Sequence, residues 1–182
     1  MHDDVSALIL AGGKATRFGG IAKHELVVDG ETIFARQVRV LAPRVAEVLV
    51  SSTRDIAGYR TVRDATPGAG PLAGIAAGLA ACRTPWLLVL AGDMPYITDD
   101  LVDRLIGARG AIDAVGIRVG GLPEPLVCVL HGRVLSILER RIASGDYKAS
   151  RLLTDAGLRV RWIDDADPAA LRNVNSPEDL GR

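Results

Sequence analysis

VSALILAGGKATRFGG, residues 5–20, joins a short apolar run to a loop rich in glycine and basic residues. The run from Val5 to Leu10 is apolar and β-prone, and it stops at Ala11-Gly12-Gly13. This pattern predicts a buried strand that ends in a glycine loop. Because ligands in open α/β sheets bind beyond the carboxyl ends of the strands, we expect this loop to carry function.

Strand-like runs and helical segments alternate along the rest of the chain. Trp86 to Ala91 is the clearest central strand, because its apolar residues leave no polar face. The other predicted strands cover residues 46–51, 61–63 (weakly), 112–119, 124–131 and 159–163, and the predicted helices cover 33–41, 71–81, 98–108, 134–144 and, as a closing helix, 176–180. This alternation predicts a three-layer α/β/α Rossmann-like fold with a mostly parallel sheet, formed as a single domain over residues 1–182.

The composition is that of an ordinary globular protein. Hydrophobic residues make up 48% and charged residues 24% of the chain, which excludes a disordered or fibrous protein. Basic and acidic residues number 22 each, so no net charge would hold a nucleic acid or an anionic membrane, and we expect neither as a partner. The N-terminus lacks the basic region of a secretory signal, and no apolar run approaches the roughly 18 residues of a membrane span. We therefore expect a cytoplasmic protein.

The loop after the first predicted strand combines glycines with the basic residues Lys14, Arg17 and Lys23. Glycine allows the backbone to curl so that successive N–H groups point at one anion, and the cationic side chains add positive charge around it. This combination indicates a phosphate-binding loop, with a flexible basic turn as the alternative. Its spacing matches neither the Walker pattern nor Gly-x-Gly-x-x-Gly, which disfavours a P-loop and a nicotinamide-binding domain.

A second candidate site follows the Trp86 strand, in the sequence Leu90-Ala91-Gly92-Asp93-Met94-Pro95. A carboxylate at the end of a buried central strand, beside a glycine that leaves room, is well placed to hold Mg²⁺ against substrate phosphates. Asp93 is therefore the metal candidate. The alternative is a loop aspartate that forms an Asx-turn into the following Met-Pro pair.

Three further segments carry small or polar residues. Residues 68–74 include three glycines, which either let backbone groups contact the edge of a base or begin a closely packed helix. Asp64 is a candidate acceptor for a hydroxyl or a base, with a surface charge as the alternative. Asn173 and Asn175 would face the same way in an extended backbone, just before the serine that caps the predicted closing helix.

Taken together, these motifs resemble those of the molybdenum cofactor guanylyltransferases, over nearly the whole chain. The matching segments are residues 10–20 with Lys23, 70–74, 92–95, 124–125 and 173–180. The resemblance implies a nucleotidyltransferase that moves GMP from GTP to the terminal phosphate of molybdenum-molybdopterin, forms molybdopterin guanine dinucleotide and releases pyrophosphate. It implies Mg²⁺ as the cofactor. GTP and molybdenum-molybdopterin are the implied substrates, enzymes that deliver or accept the cofactor are the implied partners, and the implied state is a monomer or weak homo-oligomer.

The same resemblance assigns roles to residues at matching positions. Lys23 meets the nucleotide phosphates with assistance from Arg17, and Asp93 is the metal ligand, so these three are the implied catalytic residues. The implied nucleotide-binding residues are Leu10, Ala11, Gly12, Gly13, Lys23, Ser51, Asp64, Gly70, Leu72 and Asp93. The implied acceptor-binding residues are Glu124, Asn173 and Asn175.

The sequence departs from the family pattern at four positions. Ala22 and His24 flank the phosphate lysine where aspartate and glycine are common. Ser51 stands where an asparagine often follows the second strand, and Glu124 where histidine or glutamine precedes proline. Three alternatives stay open: a cytidylyltransferase on the same cofactor, a nucleotidyltransferase for another small phosphorylated acceptor, and a nucleotide-binding module without catalysis.

Overall fold

The computed structural model describes residues 1–12, 22–64, 66, 68–154, 157–175 and 179. Its strands are β1 (His2–Leu10), β2 (Val27–Val28), β3 (Glu31–Thr32), β4 (Val45–Ser51), β5 (Arg60–Val62), β6 (Trp86–Ala91), β7 (Ala114–Val119), β8 (Leu122–His131) and β9 (Val160–Ile163). Its α-helices are α1 (Ile33–Leu41), α2 (Pro71–Ala81), α3 (Asp99–Gly107) and α4 (Leu135–Ala143), and short 3-10 helices cover Lys23–Glu25, Gly132–Val134, Ala149–Arg151 and Pro168–Leu171. None of the described helices combines the length and the apolar character needed to cross a bilayer.

Seven of the strands form one sheet in the order β5-β4-β1-β6-β8-β7-β9. The neighbouring pairs are parallel except for the two that involve β8, which runs antiparallel to β6 and β7. The carboxyl ends of β1, β4, β5 and β6 therefore lie at one edge of the sheet. The predicted α/β fold with a mostly parallel sheet is confirmed.

Helices cover the sheet on both faces. On one face, α1 and α3 pack over a core that includes Ile9 and Leu88. On the other face, α2 and α4 pack over a core that includes Leu8 and Leu87. Neighbouring residues enter different cores because successive side chains of a strand point to opposite faces. All residues of β6 are buried, as expected for a strand covered on both sides.

The predicted element boundaries agree closely with the structure. α1, α2 and β6 span the predicted residues, and the other predicted elements differ by one or two residues at either end, except that β1 extends back to His2. Thr98 caps α3 as predicted, because its hydroxyl accepts a hydrogen bond from the Leu101 backbone N–H at 3.3 Å. The predicted closing helix lies outside the described residues, apart from Asp179.

A small hairpin formed by β2 and β3 was not predicted from the sequence. Its turn, Asp29-Gly30, has positive φ angles of 49° and 82°. Asp-Gly is typical of a two-residue hairpin turn, but strands of two residues are too short to show alternation in the sequence. The hairpin connects the Lys23 segment to α1, and its buried residue Val28 packs in a small cluster that includes Val174.

Candidate active site

A cavity of about 790 Å³ opens at the sheet edge where β1, β4, β5 and β6 end. This volume lies within the range of small-molecule binding sites. The strand ends, the start of α2 and the Lys23 segment together supply its lining residues, which are Leu10, Ala11, Gly12, Lys23, His24, Ser51, Ser52, Thr53, Arg63, Asp64, Gly68, Gly70, Pro71, Gly74, Ala91, Gly92, Asp93 and Leu126. The cavity therefore lies beyond the carboxyl ends of the strands, where the sequence places the candidate motifs.

Lys23 joins two of the other candidate motifs at this cavity. Its ammonium Nζ lies 2.8 Å from Asp93 Oδ2 and 2.6 Å from Asn175 Oδ1. The lysine precedes its two partners by 70 and 152 positions in the chain. The fold thus brings together a cation, a carboxylate and an amide that the sequence carries in three separate segments.

The turn that carries Asp93 is held by backbone contacts on two sides. The Gly92 N–H donates to the Leu10 carbonyl at 3.1 Å, and the Val174 N–H donates to the Asp93 carbonyl at 2.8 Å. A Cβ atom on Gly92 would lie 2.6 Å from the Leu10 carbonyl oxygen, so the two strand ends approach this closely only because residue 92 is glycine. These contacts direct the Asp93 side chain toward Lys23.

Comparison with known proteins identifies the family. A family model for the MobA-like NTP transferase domain matches residues 7–163. The chain belongs to the MobA-like NTP transferase family. The resemblance drawn from the motifs is confirmed at this level, and so is the expectation of a nucleotidyltransferase.

Relatives of this MobA-like transferase match it over almost their whole length. A molybdenum cofactor guanylyltransferase from Pseudomonas putida is 35% identical, over 96% of this chain and 95% of the relative. A protein of the same name from Serratia proteamaculans is 33% identical, over 100% of this chain and 95% of the relative. Among solved structures, molybdopterin-guanine dinucleotide biosynthesis protein A from Archaeoglobus fulgidus has a TM-score of 0.78 at 24% identity, over 96% and 94% of the two chains. This structural likeness shows the shared fold.

Most residues that the resemblance assigned to the nucleotide line the cavity of this MobA-like transferase: Leu10, Ala11, Gly12, Lys23, Ser51, Asp64, Gly70 and Asp93. Leu72 lies in α2 with its side chain fully buried against the sheet, outside the cavity lining, and its role toward the nucleotide stays a prediction. Gly13 and Arg17 lie outside the described residues.

The glycines at the start of α2 line the cavity and allow the helix to pack closely, and contact with a base stays a prediction. Gly70, the N-cap of α2, lines the cavity with a φ of 64°, a backbone conformation that favours glycine. Gly74 lets α2 pack against the strand ends, because a Cβ atom there would lie 2.5 Å from Ser51 Oγ and 3.2 Å from Leu10 Cδ2. The segment therefore shapes the cavity and also packs the helix.

The three acceptor candidates differ in their surroundings. Asn175 contacts Lys23, whereas Asn173 has a buried Oδ1 with no hydrogen-bond partner in the described part of the chain. The pKa of Glu124 is raised. Burial is the main cause and the charge of Asp93 adds to it, while a hydrogen bond from the Leu126 backbone N–H partly offsets both. Glu124, one of the positions that depart from the family pattern, is thus close enough to Asp93 for the aspartate charge to disfavour its ionised form.

His24, another of those departures, is buried in the cavity wall. Its ring packs edge to face with Phe34, with the ring centroids 6.0 Å apart. Burial lowers the pKa of His24, and the charge of Glu25 opposes this effect. Burial therefore favours the neutral form of His24, and the cationic group of this segment that contacts Asp93 is Lys23.

Gln37, which was not predicted from the sequence, contacts the Asp93 turn from the side of α1. Its side chain is buried, and Nε2 donates to the carbonyls of Ala91 and Met94 at 2.7 and 3.0 Å. Gln37 occupies a core-facing position one helical turn after the buried Ile33. A polar side chain in an otherwise apolar helical stripe is the signal that could have identified it.

Proposed function

We propose that this protein transfers GMP from GTP to the terminal phosphate of molybdenum-molybdopterin, forming molybdopterin guanine dinucleotide and releasing pyrophosphate. The observation that carries the proposal is the meeting of Lys23, Asp93 and Asn175 at the cavity. Each of these residues comes from a different motif of the family resemblance. The shared name of the relatives from Pseudomonas putida and Serratia proteamaculans supports the choice of reaction.

The proposed reaction is an in-line displacement at the α-phosphorus of GTP. An oxygen of the acceptor phosphate forms the new P–O bond, the bond from the α-phosphorus to the oxygen bridging the β-phosphate breaks, and pyrophosphate leaves. A phosphate monoester is already ionised at neutral pH, because its second pKa is about 6. The protein therefore needs no nucleophile or general base of its own, and it contributes positioning and electrostatic stabilisation.

Lys23 is the proposed phosphate-binding cation. In the structure its ammonium pairs with Asp93 and Asn175, so bound phosphates would compete with these two oxygen acceptors for the same group. We propose that Lys23 contacts the GTP phosphates, that Arg17 assists it, and that backbone N–H groups of Gly12 and Gly13 complete the phosphate site.

Asp93 is the proposed ligand for Mg²⁺. Its Oδ2 already faces a cation, Lys23, and its side chain is 18% exposed at the cavity. The described residues contain no group of three or more His, Cys, Asp or Glu side chains placed to hold a metal. A single carboxylate suits magnesium, which usually takes one or two carboxylates together with substrate phosphates and water. When bound, Mg²⁺ would neutralise negative charge on the phosphates.

The acceptor side is proposed to consist of Glu124, Asn173 and Asn175. The asparagine amides can donate hydrogen bonds to an anionic acceptor. Glu124 as a carboxylate would repel such an acceptor, and its raised pKa increases the protonated fraction at a given pH, which reduces that repulsion.

Nucleotide-dependent thermal stabilisation tests the proposal. We would measure the melting temperature with Mg²⁺ and GTP, CTP, ATP or UTP for the wild type, for Lys23→Ala and for the control Lys148→Ala, which removes an exposed lysine outside the cavity. Binding to the folded state stabilises it, by about 2.7 kcal/mol at a ligand concentration of 100 Kd, or about 5 to 10 °C for a domain of this size.

We expect GTP alone to raise the melting temperature, and we expect this shift to persist in Lys148→Ala and to be lost in Lys23→Ala. A shift with CTP in place of GTP would support cytidylyl transfer instead. No shift with any nucleotide would contradict nucleotidyl transfer. Stabilisation by GTP without pyrophosphate release in the presence of molybdenum-molybdopterin would favour a different acceptor or a binding module.

A further inference from the structure

Gln37 is a polar side chain in the hydrophobic core beneath the Asp93 turn. Only 1% of its surface is accessible, and its neighbours in the buried stripe of α1 include Ile33 and Val40. Its Oε1 has no hydrogen-bond partner among the described residues. A buried polar atom without a partner is unfavourable, so packing alone would favour an apolar residue of similar size at this position.

The amide nitrogen of Gln37 contacts both ends of a short backbone turn. Nε2 donates to the Ala91 carbonyl at 2.7 Å and to the Met94 carbonyl at 3.0 Å. These two residues flank Gly92 and Asp93 in the sequence. Both N–H groups of the amide are therefore used to fix the backbone on either side of the residue that contacts Lys23.

Other contacts hold the same turn through the backbone. The Gly92 N–H donates to Leu10, and the Asp93 carbonyl accepts from Val174. Among these contacts, the pair made by Gln37 is the one that comes from a side chain, so a substitution can remove it while the backbone contacts stay available.

We propose that Gln37 is a positioning residue, which holds the Asp93 turn so that the carboxylate is presented to the metal-nucleotide complex. The inference rests on the proposed role of Asp93. Preorganised ligands matter because a displacement of about 1 Å in a positioned group can cost on the order of 10²-fold in rate. Removing the two hydrogen bonds is therefore expected to loosen the turn and to weaken metal-dependent nucleotide binding, in addition to any effect on folding.

Two substitutions at position 37 separate positioning from folding. Gln37→Met keeps the length of the side chain but removes both donors. Gln37→Ala also removes the donors and leaves space for a water molecule, which can hydrogen-bond the two carbonyls but does not attach them to α1, so we expect this variant to fold even if the methionine variant does not. The control is Val40→Ala, which shortens another buried residue of α1 that faces the core and has no side-chain group able to hydrogen-bond the turn.

Three measurements are made on each variant. The first is the melting temperature. The other two are made well below it: the hydrogen–deuterium exchange of the backbone amides at 92–94 and at Val174, and the affinity for GTP by calorimetry with and without Mg²⁺. Exchange reports on local opening of the turn independently of turnover. The wild type shows in the same experiment whether Mg²⁺-dependent GTP binding exists at all.

We expect both Gln37 variants to exchange the turn amides about tenfold faster or more, and to bind Mg²⁺·GTP about tenfold more weakly. We expect Val40→Ala to lower the melting temperature while leaving the exchange of the turn and the affinity for Mg²⁺·GTP unchanged. Wild-type exchange and affinity in a folded Gln37 variant would overturn the positioning role. If Val40→Ala reduced the protection of the turn amides and the affinity for Mg²⁺·GTP as much as the Gln37 variants do, Gln37 would contribute to folding alone. Absence of GTP binding by the wild type would instead contradict the proposed function, and exchange would still test the structural part of the inference.

Discussion

Lys23 and Asp93 form an ion pair at the cavity, with 24% and 18% of their side chains accessible. A pair that is partly open to solvent contributes little to folding, about 1 kcal/mol or less. Neither side chain belongs to the two apolar cores that hold the helices against the sheet. Two opposite charges in the wall of a cavity that add little to folding agree with the proposed role of both residues in ligand binding.

The variant Asp93→Asn tests this interpretation at a single residue. We expect Mg²⁺-dependent turnover to fall by about 10²-fold or more, because the proposed metal ligand and the partner of Lys23 are lost together. The melting temperature should change by less than about 3 °C, since the Asp93 carbonyl still accepts from Val174. Pyrophosphate release and thermal unfolding measure the two effects, with Asp165→Asn, an exposed carboxylate beside α3, as the control. Full turnover in Asp93→Asn would exclude this residue as the metal ligand.

The strands β1 and β6 could be predicted from the sequence, but the contact between their ends could not. Both strands were predictable because each is an apolar run that ends at glycine. The β2–β3 hairpin was not, because its strands are too short to show a period. The close approach of Gly92 to the Leu10 carbonyl was also hidden, because it depends on the parallel register of two strands that are distant in sequence.

Gly92→Ala tests the junction between these two strands. A Cβ atom at residue 92 would lie 2.6 Å from a backbone oxygen, so the strand ends must separate. We expect a loss of about 1 to 3 kcal/mol in the free energy of unfolding, together with weaker Mg²⁺·GTP binding. Gly107→Ala is the matched control, because a Cβ atom at the end of α3 meets no atom within 4 Å and should leave stability unchanged or raise it by up to about 1 kcal/mol. Urea unfolding and calorimetry distinguish the variants, and equal stabilities for the two would contradict the steric argument.

The whole molecule assembles the candidate site from segments that the sequence presents separately. The family resemblance named Lys23, Asp93 and Asn175, and their contacts required the complete sheet, because Asn175 follows the last strand and Lys23 follows the first. The contacts of Gln37 could not be predicted, because they depend on which carbonyls lie opposite α1, although its polar side chain in an apolar helical stripe distinguishes it in the sequence. Residue identity thus indicated the candidate residues, and the three-dimensional arrangement brought them together and placed Gln37 beside the Asp93 turn.

Asp113 binds Arg159 and Arg133 at the edge of the sheet formed by β7 and β9. Its charge makes the stability of the molecule depend on pH. Its Oδ2 accepts from the Arg159 backbone N–H at 2.8 Å and from Arg159 Nε at 3.1 Å, and its Oδ1 pairs with Arg133 Nε at 2.5 Å. The backbone and guanidinium hydrogen bonds from Arg159, helped by the charges of both arginines, lower the pKa of Asp113. In the unfolded chain the same carboxyl has its ordinary pKa of about 3.9. Between the two values the native state binds fewer protons than the unfolded state, so the free energy of unfolding decreases as the pH falls.

The variant Asp113→Asn should therefore be less stable than the wild type at neutral pH and approach it in acid. We expect a difference of about 1 kcal/mol at pH 7, because the partly exposed arginine side chains weaken the ionic contribution. The difference should be constant above about pH 5 and should shrink below about pH 4, where the carboxyl binds a proton in the unfolded chain before it does so in the native state. Urea unfolding at pH 7, 5, 4 and 3 measures it, with Asp55→Asn, whose carboxylate is 81% exposed, as a control expected to stay near zero. A difference that does not change between pH 7 and pH 3 would mean that the charge of Asp113 does not stabilise this edge of the sheet, and that its hydrogen bonds act through geometry alone.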